Sequence, residues 1–464
     1  MTVRKFKQYM LLSVAVIVTT LFAKPAAADP TAETAPVVAA PAAVVIDAQT
    51  GVVVYARDKD SPYFPASMTK LMTALLTAEY ARDAKLDERI VFSAEAVHAN
   101  PPGGSHIAMD VGETLTIREA LYGILLESAN EVCNALAEHI SGNAEQFAKD
   151  MTTRAHALGA VNTQFKNAHG LHDEGHFTTA YDMALILKEA LKHHVLVDII
   201  STVEYEIPPT DLQPDIRPLH NSNRMIRPAS PYYNADVIGG KTGFTSEAGN
   251  TLATYAKRDG VRLIAVVMQG ESAANAYGDT AALLDYGFNQ FEYVTVFDRH
   301  NYKREIPVVL ESENVNAQAN GTPAQLLRLG AADSLKMLLP KRVAGHIETT
   351  DNLPSVLSRS VTAGETIGLV TFSFEEIILG SVAIKAQNSI DIPIPATPAA
   401  AAELETGGGF PFINLLIKAI QALGILLLAL IVWTVVVRTI KRKRRRTARY
   451  GLRRARPVAY RYKR

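Results

Sequence analysis

Residues 43–46 and 52–55 are short apolar runs either side of a turn that ends at Gly51, which is the pattern of a β-hairpin. The apolar spacing then lengthens to a helical period, predicting helices over residues 68–80, 117–126, 131–140, 144–158 and 180–191. Strand-like runs return at 235–241, 251–257 and 261–268, and 279–289 reads as a closing helix. Strands at both ends of a helical block predict an α+β domain over residues 42–296. Its antiparallel sheet would take its outer strands from distant parts of the chain. From residue 297 the texture changes to short β-rich stretches at 305–310, 342–348, 366–372 and 377–384, punctuated by Gly321, Pro340 and Gly364. A small all-β domain over 297–390 is expected, without a cluster of catalytic groups.

The two ends carry a different pattern. Arg4, Lys5 and Lys7 precede an apolar run at 10–22, followed by Ala26-Ala27-Ala28, so residues 1–28 read as a secretory signal peptide. Residues 29–41 and 391–409 are Pro/Ala- or Gly-rich linkers. Within residues 410–437, an amphipathic first half bearing Asn414, Lys418 and Gln421 leads into an apolar stretch at 419–437. At 1.5 Å per residue that stretch reaches roughly 28 Å, one bilayer core. The basic run at 441–446 inside the tail 438–464 places that tail in the cytoplasm beside anionic lipid. The expected arrangement is an exported body on the outer face of a bacterial cytoplasmic membrane, held by a C-terminal transmembrane helix.

Composition narrows the chemistry. The 464 residues include 47 basic and 47 acidic side chains and are 48% hydrophobic, too apolar for a disordered chain. The balance hides a segregation: residues 29–409 hold 28 basic against 47 acidic side chains, a net of −19, so nucleic acid is not expected as a partner of the body. A single cysteine, Cys133, rules out an intramolecular disulfide framework and a thiolate zinc cluster. It lies on an apolar helical stretch and reads as packing. The group His169, His172 and His176 does not follow a metal-ligand spacing, so neither a metal nor another cofactor is expected.

Three separated signals carry the candidate chemistry. In Ser67-Met68-Thr69-Lys70, a helix starting at Ser67 would put the Lys70 amine on the same face as the hydroxyl. Serine needs a base to become a nucleophile, and lysine is a base only when burial or another cation lowers its pKa from about 10.4. An S-x-x-K occurs roughly once by chance in a chain this long, and Ser67 would equally serve as an N-cap. Ser128-Ala129-Asn130 falls at a break between two predicted helices, where a hydroxyl can relay protons and an amide can hold a substrate backbone; helix capping is its ordinary alternative. Lys241-Thr242-Gly243 ends a predicted strand, where a cation and a hydroxyl suit a carboxylate and Gly243 permits close approach of a ligand; a solvated turn is the alternative.

Taken in order, S-x-x-K, then S-x-N about sixty residues on, then K-T-G about a hundred and ten further, resemble the signature set of penicillin-binding proteins and related β-lactamases. The surrounding sequence is similar to the low-molecular-weight D-alanyl-D-alanine carboxypeptidases: PASMTKLMTALL from Pro65, GGS from Gly103, LYGILLESANEVCNALAE from Leu121, HGLHDEGHFTTAYDMA from His169 and GGKTGFTSEAGNTLA from Gly239. VTAGETIG, from Val361, resembles that family's accessory β-domain. The resemblance implies a β-lactamase/transpeptidase-like catalytic fold, a peptidoglycan stem pentapeptide as substrate and β-lactams as inhibitors. It implies Ser67 as nucleophile, Lys70 as general base, Ser128 as proton relay and Asn130 as a substrate-orienting group. Lys241, Thr242 and Gly243 would receive the terminal carboxylate, Lys241 would help keep Lys70 neutral, and the backbone N–H groups of Ser67 and Phe244 would form the oxyanion hole. Two departures stand out. Ala129 replaces the family's usual glycine, and a full membrane span stands where many relatives have an amphipathic helix. No E-x-x-L-N element follows Asn130, which separates the chain from class A β-lactamases. A transpeptidase, or a non-hydrolytic β-lactam- or wall-binding protein, would share the same pocket.

Overall fold

The computed structural model describes residues 35–309, 325–375 and 377–392. The predicted signal peptide, membrane helix and basic tail lie outside the described residues, among which no helix is long and apolar enough to cross a membrane.

The expected hairpin forms from β1 (Ala42–Asp47) and β2 (Val53–Arg57). Its turn is organised by Asp47, whose carboxylate accepts from Gln49 N at 3.2 Å and Thr50 N at 3.1 Å. All six residues of β1 are buried because both faces of the strand are covered. Ala42, Val44 and Ile46 face the helical core, whereas Ala43 and Val45 belong to a second core on the other side.

The chain then builds a helical block before the sheet resumes. A short 3-10 turn, Ala66–Thr69, runs into α1 (Lys70–Ala81), which is buried along most of its length. A small hairpin, β3 (Arg89–Val91) with β4 (Thr114–Thr116), brackets the short α2 (Ala94–His98). Next come α3 (Ile117–Leu126), α4 (Asn130–Ser141), α5 (Ala144–Ala157), α6 (Ala180–Ala190) and α7 (His194–Ser201). Their starts follow local capping chemistry: Thr116 and Glu119 form a reciprocal capping box, and Asn143 and Thr179 accept from Gln146 N and Asp182 N. A second hairpin, β5 (Glu204–Ile207) with β6 (Arg217–His220), leads to three long strands, β7 (Val237–Thr245), β8 (Gly249–Arg258) and β9 (Val261–Gly270). This sheet has the antiparallel order β2-β1-β9-β8-β7, so its two edges come from distant parts of the chain as expected. Helix α8 (Ala273–Gln290) covers the second face.

Beyond it, β10 (Phe291–Phe297) pairs not with a neighbour but with a strand some forty residues on, β13 (Leu335–Pro340). The expected change of texture at residue 297 is therefore bridged by a ladder. The remaining strands, β11 (Arg304–Val308), β12 (Gln325–Ala331), β14 (Glu348–Asn352), β15 (Thr366–Phe374) and β16 (Ile377–Ala386), form an antiparallel sheet in the order β11-β12-β16-β15-β14 over a small core that includes Ile306, Leu327, Phe372 and Ile384.

Three expectations are corrected. The strand expected over 342–348 is mostly turn, and the chain is extended on either side of it, in β13 and β14. All five residues of β14 are exposed, so its pairing with β15 has no apolar alternation to announce it. The closing helix begins at Ala273 rather than 279, started by Ser272, whose side chain accepts from Asn275 N; its opening residues AANAYG are mostly small and give little apolar signal. The helix expected from residue 68 is preceded by the 3-10 turn, so Ser67 sits inside that turn and not at the start of an α-helix.

Candidate active site

The turn that holds Ser67 is placed by contacts on both sides. Ala66 has φ +47°, a left-handed backbone unusual for a residue with a Cβ, and it turns the chain sharply into the 3-10 segment. The carbonyl of Pro65 accepts from Thr251 Oγ1 at 3.1 Å, tying the turn to β8. With three residues per turn, Ser67 and Lys70 lie one above the other.

Lys70 is fully buried, and its Nζ has three partners: Ser67 Oγ at 3.0 Å, Asn130 Oδ1 at 2.8 Å and the His169 carbonyl at 2.7 Å. Two of these can only accept. The third is a hydroxyl, which can donate. Both protonation states fit this set: an ammonium donates to all three, and a neutral amine donates to the two obligate acceptors and turns its lone pair to the Ser67 proton. Burial pushes the Lys70 pKa down to about 8, against smaller opposing contributions from Cys133 and Glu131.

The S-x-N signal sits where expected, in the break between α3 and α4. Ser128 has φ +64°, again a left-handed residue, and its buried Oγ has no hydrogen-bond partner among the described residues. Asn130 begins α4. Its Oδ1 accepts from Lys70 while its Nδ2 donates to Asn100 Oδ1 at 3.0 Å, which fixes the orientation of the amide. Its backbone N–H donates to Ser105 O at 2.9 Å, joining the Gly103–Ser105 loop to the site.

The third signal lies on β7, the edge strand beside the 3-10 turn. A Cβ on Gly243 would come within 2.9 Å of Ser67 N and 2.4 Å of Thr251 Oγ1, so only glycine lets this strand pass so near the Ser67 amide. Lys241 is 1% exposed, and its Nζ donates to Thr242 O at 3.0 Å. Burial, and then repulsion from Lys70, lower its pKa to about 7. Burial is the leading cause at both amines, and repulsion between the two disfavours charging both at once.

All of these groups meet at one cleft of about 420 Å³, lined by Ser67, Ser128, Thr242, Gly243 and Phe244, with Lys70, Asn130 and Lys241 reached just behind its wall. Sequence reasoning missed several members of the site. Ser222 lines the cleft and shares a 2.9 Å hydrogen bond with Thr242 Oγ1. Asn100 positions Asn130, and the His169 carbonyl grips Lys70. A backbone acceptor carries no residue-type signal, so His169 was legible only as part of a family-like stretch.

The histidine group has structural duties. His176 Nδ1 accepts from Lys166 N at 3.2 Å, which puts the ring proton on Nε2, facing Thr69 Oγ1 at 2.9 Å. Burial pushes His176 down to about 4 and His169 to about 3, so both are neutral. His172 packs edge-on against Phe64. Cys133 is buried, donates to Ala129 O and is pushed up to about 12 by its burial, which suits packing rather than attack.

Gly170 is the residue on which the His169 contact depends. It has φ +89°, and a Cβ there would lie 1.9 Å from Ala66 O. Gly170→Ala is expected to lower unfolding free energy by about 1–3 kcal/mol in denaturant titrations and to slow penicillin acylation at least tenfold, because relief of the clash must displace the Ser67 turn.

Comparison with known proteins now decides the family. The D-alanyl-D-alanine carboxypeptidase peptidase model matches residues 29–272. The chain belongs to the D-alanyl-D-alanine carboxypeptidase family. It is 32% identical over 354 residues to D-alanyl-D-alanine carboxypeptidase DacF of Bacillus subtilis (strain 168), covering 76% of this chain and 86% of that one. To DacC of Escherichia coli (strain K12) it is 29% identical over 359 residues, covering 76% and 84%. Among solved structures, penicillin binding protein 5 from Haemophilus influenzae superposes with a TM-score of 0.65 at 25% identity, covering 78% of this chain and 100% of that one. Membership makes this chain a serine-type D-Ala-D-Ala carboxypeptidase, a hydrolase acting on peptidoglycan peptides.

Proposed function

We propose that the reaction runs through an acyl-enzyme on Ser67, with Lys70 as the base. The observation that carries this reading is the fully buried Lys70 Nζ held 3.0 Å from Ser67 Oγ, where the neutral amine accepts the hydroxyl proton. Ser67 Oγ attacks the carbonyl of the terminal D-Ala-D-Ala bond as its proton passes to Lys70. The developing oxyanion lies toward the backbone N–H groups of Ser67 and Phe244, where fixed donors act on charge that exists only in the transition state. Ser128, its hydroxyl held by no partner in the free enzyme, gives its proton to the departing amine and takes one back from Lys70 as it turns toward that amine, and D-alanine leaves. Asn130 orients the peptide. Water then opens the ester, with Lys70 again taking the proton.

Thr242 and Lys241 receive the substrate carboxylate, with Gly243 leaving room for it. The lowered pKa of Lys241 gives this contact a further consequence. An incoming carboxylate favours the protonated amine, so binding restores the charge that Lys70 and burial suppress. A β-lactam presents the same carboxylate beside a reactive amide and acylates Ser67. Its leaving group stays tethered in the cleft, so the ester is released slowly.

The ends of the chain extend the proposal to location. The pattern of residues 1–28, 410–437 and 438–464 supports export and attachment to the outer face of the cytoplasmic membrane, with the basic tail on anionic lipid.

The pH dependence of acylation tests the base. The active species is neutral Lys70, whose fraction rises with pH until it exceeds the lowered pKa. The second-order rate of penicillin acylation is expected to climb about tenfold per unit below pH 7 and to level off just above pH 8. A rate that climbs only toward pH 10, as for an unperturbed lysine, or that does not change with pH, would remove Lys70 from this role.

A further inference from the structure

A second and larger cleft, of about 900 Å³, opens in the β-rich part of the chain, and its lining is cationic. It lies at one end of the β11–β12 ladder, closed on one side by the 3-10 turn Arg299–Asn301. Arg299, Lys303, Arg304 and Arg328 line it together with His300, against one acidic side chain, Glu305. Arg304 is paired with Asp351. Arg299, Lys303 and Arg328 have no carboxylate within ion-pair distance among the described residues, although Glu305 lies opposite Arg328 in the ladder. Residues 29–409 carry a net charge of −19, so a cationic hollow here is not a by-product of a generally basic surface.

The cations stand on fixed backbone. Arg328 N donates to Asn388 Oδ1 at 2.8 Å, Gln387 N to Arg328 O at 2.8 Å, and Arg299 N to Ser334 Oγ at 3.1 Å. Gly330 makes room for the Gln387 amide in the lining: a Cβ there would come within 2.4 Å of Gln387 Nε2, which adds a neutral donor. Three of the four cations are arginines, whose planar forks match phosphate oxygens two at a time. The hollow is also concave and larger than one phosphate group needs, which fits a chain of linked units better than the flat face of a bilayer.

We propose that this cleft binds a phosphodiester-bearing polyanion of the cell envelope, holding the enzyme beside the wall independently of the catalytic cleft. The test uses the purified full-length protein and poly(glycerol phosphate) as the probe, followed by calorimetry at several salt concentrations. The variant Arg299→Gln/Lys303→Gln/Arg328→Gln changes side chains away from the catalytic residues. It is expected to bind the polymer at least about tenfold more weakly, with a shallower dependence on salt, while melting temperature and D-alanine release from a soluble pentapeptide stay at wild-type values. The double variant Lys341→Gln/Arg342→Gln, in the same part of the chain but off the cleft, is expected to bind like wild type. Equal binding by the triple variant, an equal loss in the double variant, tighter binding to polyglutamate than to the polymer, or the same tenfold loss by the triple variant on phosphatidylglycerol vesicles would each overturn the proposal.

Discussion

Ser67→Ala is expected to release no D-alanine from a pentapeptide and to take up no fluorescent penicillin, while unfolding within about 1 kcal/mol of wild type. Loss of chemistry without loss of fold is expected because the Ser67 turn is held by its backbone and neighbours. Thr251 anchors Pro65, β7 passes beside the Ser67 amide, and Lys70 keeps Asn130 and the His169 carbonyl as partners. Among the described residues, the hydrogen bond removed is the 3.0 Å one between Lys70 and the hydroxyl. Without an oxygen nucleophile there is no ester to form, and the other serines of the cleft, Ser105, Ser128 and Ser222, lack a lysine within hydrogen-bond reach among the described residues. Peptide mapping after penicillin treatment reads the outcome directly. A labelled peptide containing any residue other than Ser67 would defeat the assignment.

Lys70→Met is expected to cost roughly 10²–10⁴-fold in acylation rate, the range for removing a positioned general base. Methionine nearly preserves volume in a fully buried position, so a folded protein with an intact substrate cleft should result. The residual rate should lose the rise with pH between about 7 and 8, since the group that titrates there is gone. Lys70→Arg sharpens the reading. Arginine keeps a positive charge near Ser67 but stays protonated and offers no lone pair, so it should be as slow as methionine if Lys70 acts as a base. A variant in which arginine restores the rate would instead mean that only charge is required at this position. Comparing the melting temperatures of both variants with wild type separates slow chemistry from misfolding.

Much of the catalytic part was legible because its elements are long and strongly patterned. The helices at 117–126, 144–157 and 180–190 start at polar caps and carry clear apolar stripes, and their observed ends match the expected ones within a residue. The unbroken apolar run of β1 announced a strand but not its surroundings. Only pairing with β9 on one side and β2 on the other gives it two buried faces. Short elements escaped. The helix His194–Ser201 was not anticipated although Val195, Leu196, Ile199 and Ile200 form its buried stripe, because eight residues hold little more than two turns, and β14 has no buried residue at all. Ladders such as β10 with β13 depend on partners far along the chain, which no local window contains.

At the site, the residue types and their order were sufficient to name the reacting groups: a hydroxyl, an amine three residues on, a second hydroxyl with an amide, and a lysine before threonine and glycine. Their protonation was not written there. The same Ser67-Met68-Thr69-Lys70 on an exposed helix would hold a charged lysine, useless as a base. Folding closes α1, α4 and the His169–Gly170 backbone around that amine, removes water from it, and sets two acceptors and one hydroxyl at bonding distance. Sequence thus determined which atoms are available. Tertiary structure alone decided which of them carry a proton, because the energy of a charge depends on everything packed around it and not on its neighbours in the chain.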